Sequence, residues 1–193
     1  AALEPFARHL VTSRTWQLGS RASADSSSAW DEVALAMDVP SARLVRVRQV
    51  HGAGVLVRRT GAQDLPAAPD ADIIISSDPS VAIAIQAADC VPLLAADRRS
   101  GVVAAAHAGW RGLAAQVPAV TVAALAREFG SRPDDLIVTL GPSVGPCCYE
   151  VGSDVRQGFE PDDGLAADGP AATRGFYAGP QPTARNPSMP TLA

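Results

Sequence analysis

His51, Cys90 and His107 are the side chains of this sequence best suited to chemistry. His51 stands in Arg48-Gln49-Val50-His51-Gly52 and Cys90 in Ala87-Ala88-Asp89-Cys90-Val91-Pro92. His107 stands in Ala106-His107-Ala108-Gly109-Trp110-Arg111-Gly112. Each segment reads as an apolar strand that ends in a polar, reactive residue, aimed by a rigid sheet and freed by adjacent glycine. Two imidazoles and one thiolate form a catalytic zinc set, with the fourth position left to water or substrate. The same donors suit copper. Their spacing matches no short metal motif. Taken singly, a strand-end His is a satisfied structural residue and a buried Cys a small hydrophobe.

The elements expected to position these residues are mostly strands. Arg43–Val50 alternates apolar and polar residues with period two, the pattern of a half-buried strand, and Gly54–Arg58 resumes after Gly52. Asp72–Ser76 and Val81–Gln86 are short Ile/Val-rich runs joined by a Ser-Asp-Pro-Ser turn. Gly101–Ala106 and Leu136–Leu140 read as further strands. Ala29–Ala36 is helical, after a Ser/Ala-rich loop over Gly19–Ser28; Gln63–Pro69 is another loop. Arg111–Phe129 is the long helical candidate, stopped by Gly130 and kinked or restarted at Pro118. The fold class is α+β (mixed α/β), one domain over 1–193, with a Gly/Pro-rich tail over 161–193 that adds little core.

Composition narrows the functions. The chain has 193 residues, enough for a sizeable core, and a net charge of −4 without a basic run, which disfavours a nucleic-acid partner. No stretch approaches the roughly 18 apolar residues of a membrane span. The N-terminal residues carry no charged-then-apolar signal pattern, so a cytoplasmic location is expected. All 16 basic residues are Arg. Lysine Schiff-base chemistry and the P-loop lysine are thereby excluded from these residues. Three Cys make no disulfide framework of the secreted kind.

The strings RQVHG (48–52), ADCVPLL (88–94), HAGWRG (107–112) and GPSVGPCCYEVG (141–152) occur in that order. They resemble the signature segments of the YfiH-like family, also called the multicopper polyphenol oxidoreductase or laccase-domain family, over residues 43–155. The resemblance implies a layered sandwich of mixed sheets flanked by helices, related to a toxin deamidase. It implies metal ligation by His51, Cys90 and His107, and metal-dependent phosphorolysis of purine nucleosides with adenosine deaminase activity. Zinc is the expected ion, copper the alternative; the partners are a purine nucleoside and phosphate. Two departures stand out. Ser13-Arg14 lies where the family carries a Thr-Arg pair, but the Gly-Gly-Val-Ser stretch that follows there is missing. The family's Cys-Thr and Ser-Tyr-Arg-Arg segments beyond CYEV are also missing, so the chain is expected to be incomplete at its C-terminus.

Under that implied reaction a zinc-bound water would attack C6 of adenosine, and phosphate would attack C1′ of the ribose. Arg111, after Gly109 and at a helix start, is the candidate for the anion, or else a surface helix charge. Arg48 is the other candidate, but alternation puts it on the face opposite Gln49 and His51. Asp89 either orients a ligand imidazole, acts as a base, or is a turn carboxylate. Gln49 holds the substrate or a ligand residue. Tyr149 and Glu150 belong to the signature without a derivable role. His9 is peripheral.

Two other chemistries fit the same residues. A copper-dependent polyphenol oxidase is one. A four-copper site needs several His-x-His pairs, and three His without one such pair cannot supply it. A metal-free hydrolase with Cys90 as nucleophile and His107 as base is the other. Gly141-Pro142-Ser143-Val144-Gly145 fits a G-x-S-x-G elbow, but no His follows residue 107 to complete the Ser-acid-His order; a loop whose N–H groups line the cleft is the alternative. Cys147-Cys148 read as packing residues at successive strand positions.

Overall fold

The computed structural model describes residues 3–13, 15–16, 18–19, 27–63 and 68–159. The expected tail over 161–193 lies outside the described residues, as do most of the Gly19–Ser28 loop and the middle of the Gln63–Pro69 loop. The strands form two sheets. Strands β1 (Leu44–Val45) and β4 (Ala82–Ile83) form a short parallel pair. Strands β2 (Val55–Arg58), β3 (Ile73–Ser76), β5 (Val91–Asp97), β6 (Val103–Ala108) and β7 (Leu136–Leu140) form a five-stranded sheet in the order β2-β3-β6-β5-β7. Its β2–β3 pair is parallel and the other pairs are antiparallel, so the sheet is mixed.

The apolar runs explain the centre of that sheet. Ile73, Ile74 and Ile75 are all fully buried, as are Ala105 and Ala106 opposite them. A strand buried on both faces must be apolar at successive positions, and Ile-Ile-Ile is such a run. Ile73 and Ile75 join Leu93, Ala95, Ala104 and Ala106 in a core that packs on Val117, Ala124 and Leu125. Each fully buried Ile stabilises by about 1.5–3 kcal/mol relative to exposure. The small alanines of β6 leave room for a helix to close down on the sheet.

That helix begins at a restart beside Pro118, as expected. Helix α1 is Ser27–Ala36; the long candidate is two helices, α2 (Trp110–Ala114) and α3 (Val117–Phe129). Gln116 between them takes a left-handed backbone with φ 60°, and Pro118 falls in the first turn of α3, where its missing N–H costs nothing. Gly130 ends α3 with φ 65°, as the glycine stop implies. A five-residue helix, α4 (Ser153–Gln157), follows the last strand.

The strand readings are refined in several places. Arg43–Val50 is not one strand: Val45 accepts the Ala84 N–H, whereas Arg48 bonds Pro69 and Ala71. The segment switches partner midway, so alternation persists without a continuous ladder. Asp72–Ser76 and Val81–Gln86 are strands joined by a turn, but they pair in different sheets. Strand β5 follows Cys90, so Cys90 introduces a strand and does not end one. Likewise His107 lies inside β6, opposite Pro92. Among the described residues no helix is long and apolar enough to cross a membrane.

Candidate metal centre

His107 is anchored from two directions. Its backbone N–H donates to the Asp72 carbonyl at 2.8 Å, and its ring Nδ1 lies 2.8 Å from Asp72 Oδ1. Both side chains are buried. Asp72 immediately precedes the Ile-rich β3, directly across from His107. The same carboxylate accepts the backbone N–H groups of Val50 (3.1 Å), His51 (3.0 Å) and Gly52 (2.7 Å). Burial alone would raise its pKa; the bonds from His107, Gly52, Val50 and His51 outweigh that and hold it below the ordinary carboxylate value.

His51 sits in the loop that those three N–H groups fold around Asp72. Its φ of 61° is left-handed, a conformation an imidazole-bearing residue keeps only when its surroundings enforce it. The His51 and His107 rings meet edge to face, centroids 4.8 Å apart at 81°. Cys90 arrives from the start of β5, half-buried. Its thiol is pushed above the ordinary value by burial first, then by the charges of Asp89 and Asp72.

The donor atoms of His51, Cys90 and His107 all lie within 4.8 Å of one another. Bond lengths to zinc would bring tetrahedral donors to ~3.3–3.7 Å apart, so side-chain adjustments of about an ångström complete such a set. Gly109 explains how Cys90 and His51 come so close. A Cβ there would stand 2.9 Å from Cys90 Sγ and 3.0 Å from His51 Cδ2. Only a residue without a side chain can cap α2 at this point.

The other residues singled out in the sequence are placed differently. Gln49 gives its whole amide to Gln86: Nε2 donates to the Gln86 carbonyl and Oε1 accepts the Gln86 N–H, each at 2.7 Å. It ties two chain segments together, and no contact to a donor residue is among these bonds. Asp89 is exposed, with a left-handed φ of 74°, and the carboxylate that orients an imidazole is Asp72. Arg111 belongs to the five-residue α2 and not to the long helix; its exposed guanidinium lies 4.2 Å over the Trp110 ring. Arg48 is paired with Asp70. Residues 141–145 form a loop followed by a three-residue 3₁₀ turn and not by an α-helix, so there is no nucleophile elbow; the Val144 N–H donates to the Asp89 carbonyl. Cys147 and Cys148 do not pack in a core. They are exposed in a 3₁₀ turn, with Sγ atoms 3.0 Å apart, because adjacent residues of a tight turn are not held to the opposite faces of a strand.

Asp72 is the residue of this candidate site that sequence reasoning passes over. Its signal was present: an acidic residue opening an otherwise apolar, buried strand must find several donors.

A family profile described as "Multi-copper polyphenol oxidoreductase laccase" matches residues 22–178. A Streptomyces coelicolor protein named purine nucleoside phosphorylase is 43% identical over 123 residues, covering 64% of this chain and 50% of its own length. The Escherichia coli protein named purine nucleoside phosphorylase YfiH is 42% identical over 123 residues, covering 64% of this chain and 48% of its own. The chain thus spans about half the length of these curated relatives. The crystal structure of YlmD from Geobacillus stearothermophilus superposes with a TM-score of 0.64 at 29% identity, over 72% of this chain and 55% of that one. The fold is therefore the mixed α+β arrangement of the YlmD structure.

Proposed function

The chain belongs to the multi-copper polyphenol oxidoreductase laccase family, and on that premise we propose that it carries the metal centre of a purine nucleoside phosphorylase with adenosine deaminase activity. One observation carries this reading: imidazole, thiol and imidazole from three separate segments converge, and a buried carboxylate holds the second nitrogen of one imidazole. Histidine ligands of metals are commonly oriented in this way. His51, Cys90 and His107 would hold the ion, with zinc preferred for a redox-silent N₂S set. Bound there, it supplies Lewis-acid polarisation and lowers the pKa of water. The names of the relatives supply the substrate class.

The chain's own residues have narrower tasks. Buried, Asp72 keeps His107 aimed. Gly109 lets the Cys90 and His51 side chains close up. Arg111 serves the phosphate: its face is taken by Trp110, but the in-plane N–H groups of a stacked guanidinium stay available to an anion. Phosphorolysis transfers the ribosyl C1′ from the purine nitrogen to a phosphate oxygen, giving ribose 1-phosphate and the free base. Deamination exchanges the 6-amino group for oxygen from water, releasing ammonia.

Incubation with adenosine and inosine, with and without phosphate, tests this. Phosphate-dependent base release supports phosphorolysis, and ammonia release without phosphate supports deamination. Phenol oxidation with added copper, and no turnover of nucleosides, favours the polyphenol oxidase that the same donors suit. Arg111→Ala is expected to lower phosphorolysis about ten- to a hundredfold, the worth of a charged hydrogen bond, and deamination much less. Equal losses would make Arg111 structural. The metal-free hydrolase gains no support, because a nucleophilic cysteine needs a lowered pKa and that of Cys90 is raised.

A further inference from the structure

We infer that Asp72 is a positioning residue that serves both imidazoles at once: it sets His107 as the Nδ1–H tautomer and holds the His51 loop, so that the two rings reach the ion as one unit. This rests on the reading that the three donors bind a metal. The argument starts from acceptor capacity. A carboxylate offers two oxygens and about four lone-pair sites. Asp72 Oδ1 receives the His51 N–H and faces His107 Nδ1; Oδ2 receives the Val50 and Gly52 N–H groups. Every site is used, and the side chain is fully buried.

Two consequences follow from that pattern. An ionised carboxylate can only accept, so His107 Nδ1 must carry the proton and Nε2 keeps its lone pair for the ion. The three loop N–H groups stabilise the left-handed backbone of His51, whose intrinsic cost is of order 1–3 kcal/mol. The loop has little slack, because even a single Cβ at Gly109 would stand 3.0 Å from the His51 ring and 2.9 Å from Cys90 Sγ. An amide cannot replace this carboxylate. Asn has one acceptor oxygen, and its NH₂ would confront either the Val50 and Gly52 donors or those of His51 and His107.

The test uses the purified chain, the Asp72→Asn variant and Zn²⁺ alone as probe. In the metal-free protein, ¹⁵N NMR reads the His107 tautomer and hydrogen exchange reads the Val50, His51 and Gly52 amides. The expected wild-type result is a single Nδ1–H tautomer with all three amides protected. In Asp72→Asn the tautomers should mix, protection of the three amides should fall, and Zn²⁺ affinity should drop on the order of 10–100-fold in a folded protein. An Nε2–H tautomer in the wild type overturns the inference, and that reading stands even if the variant does not fold. Unchanged tautomer, amide protection and affinity in the variant overturn it too. If the wild type binds no Zn²⁺, the metal reading fails, while the tautomer and amides still decide whether Asp72 positions the rings.

Discussion

Cys90 and Cys148 are two thiols in two signature-like segments, and both are harder to ionise than a free thiol, for different reasons. At Cys90 the first cause is burial, followed by the charges of Asp89 and Asp72. At Cys148 the first cause is the hydrogen bond shared with Cys147, in an exposed turn. The region around Cys90 is crowded: a Cβ at Gly109 would stand 2.9 Å from its sulfur, the His51 donor atom lies within 4.8 Å, and β5 runs on into the core. The region around Cys148 is a surface turn followed by exposed Tyr149 and Val151. The same element, sulfur, is therefore tied to a constellation in one region and only to its neighbour in the other. Chemistry is assigned by what converges on a residue, not by the residue's presence in a motif.

That contrast can be broken most severely at Cys90. Cys90→Ser should cost Zn²⁺ affinity beyond the ~10–100-fold expected for loss of an outer-shell partner, and nucleoside turnover should fall with it. Isothermal titration with Zn²⁺, with elemental analysis of the purified variant, checks this. Unchanged occupancy would remove Cys90 from the donor set.

Gly109→Ala should come next. Its Cβ would sit 2.9 Å from Cys90 Sγ, closer than packed atoms tolerate, so the donors must separate. Overpacking of this kind costs about 1–3 kcal/mol, read as a lower Tm together with weaker Zn²⁺ binding. A lower Tm with full metal affinity would mean that the crowding is absorbed away from the donors.

Acid should loosen the buried seam before it affects the surface turn. Asp97, buried and bonded by Ser131 and the Arg99 and Ser100 N–H groups, has its pKa lowered to about 2 although burial alone would raise it. A depressed carboxylate contributes stability that is complete above its unfolded pKa, about 3.9, and is lost as pH falls through the folded value. Asp72 adds to the same loss in the same direction. Thermal melts between pH 5 and pH 2 should therefore show a falling Tm, and Asp97→Asn should flatten that dependence. At the small end, Cys148→Ser should change stability by no more than about 0.5 kcal/mol and leave Zn²⁺ binding intact, as an exposed position predicts. A larger effect would give the exposed turn a structural weight that its contacts do not suggest.

Much of the architecture is legible in local sequence, because local patterns obey short-range rules. Ile73–Ile75 is too apolar for anything but a buried element, and Gly130 lies where a helix must turn left-handed to stop. Pro118 marks the helix restart, and Leu136–Leu140 is a strand by composition. Strings 48–52, 88–94 and 107–112 single out the three candidate donors on the same grounds: imidazole and thiol beside apolar runs.

The tertiary structure decided the rest, because the deciding partners are distant in the chain. Which carboxylate steadies an imidazole depends on where β3 meets β6, and local sequence favours the adjacent Asp89 over Asp72, which stands across the sheet from His107. Gln49 looks available in a strand pattern until Gln86 occupies both ends of its amide. Arg111 looks like the start of a long helix until Gln116 turns left-handed and ends α2 early. Residue types and periodicity determine what a segment can become. Register and strand order determine what it touches, and a metal centre is defined by touching.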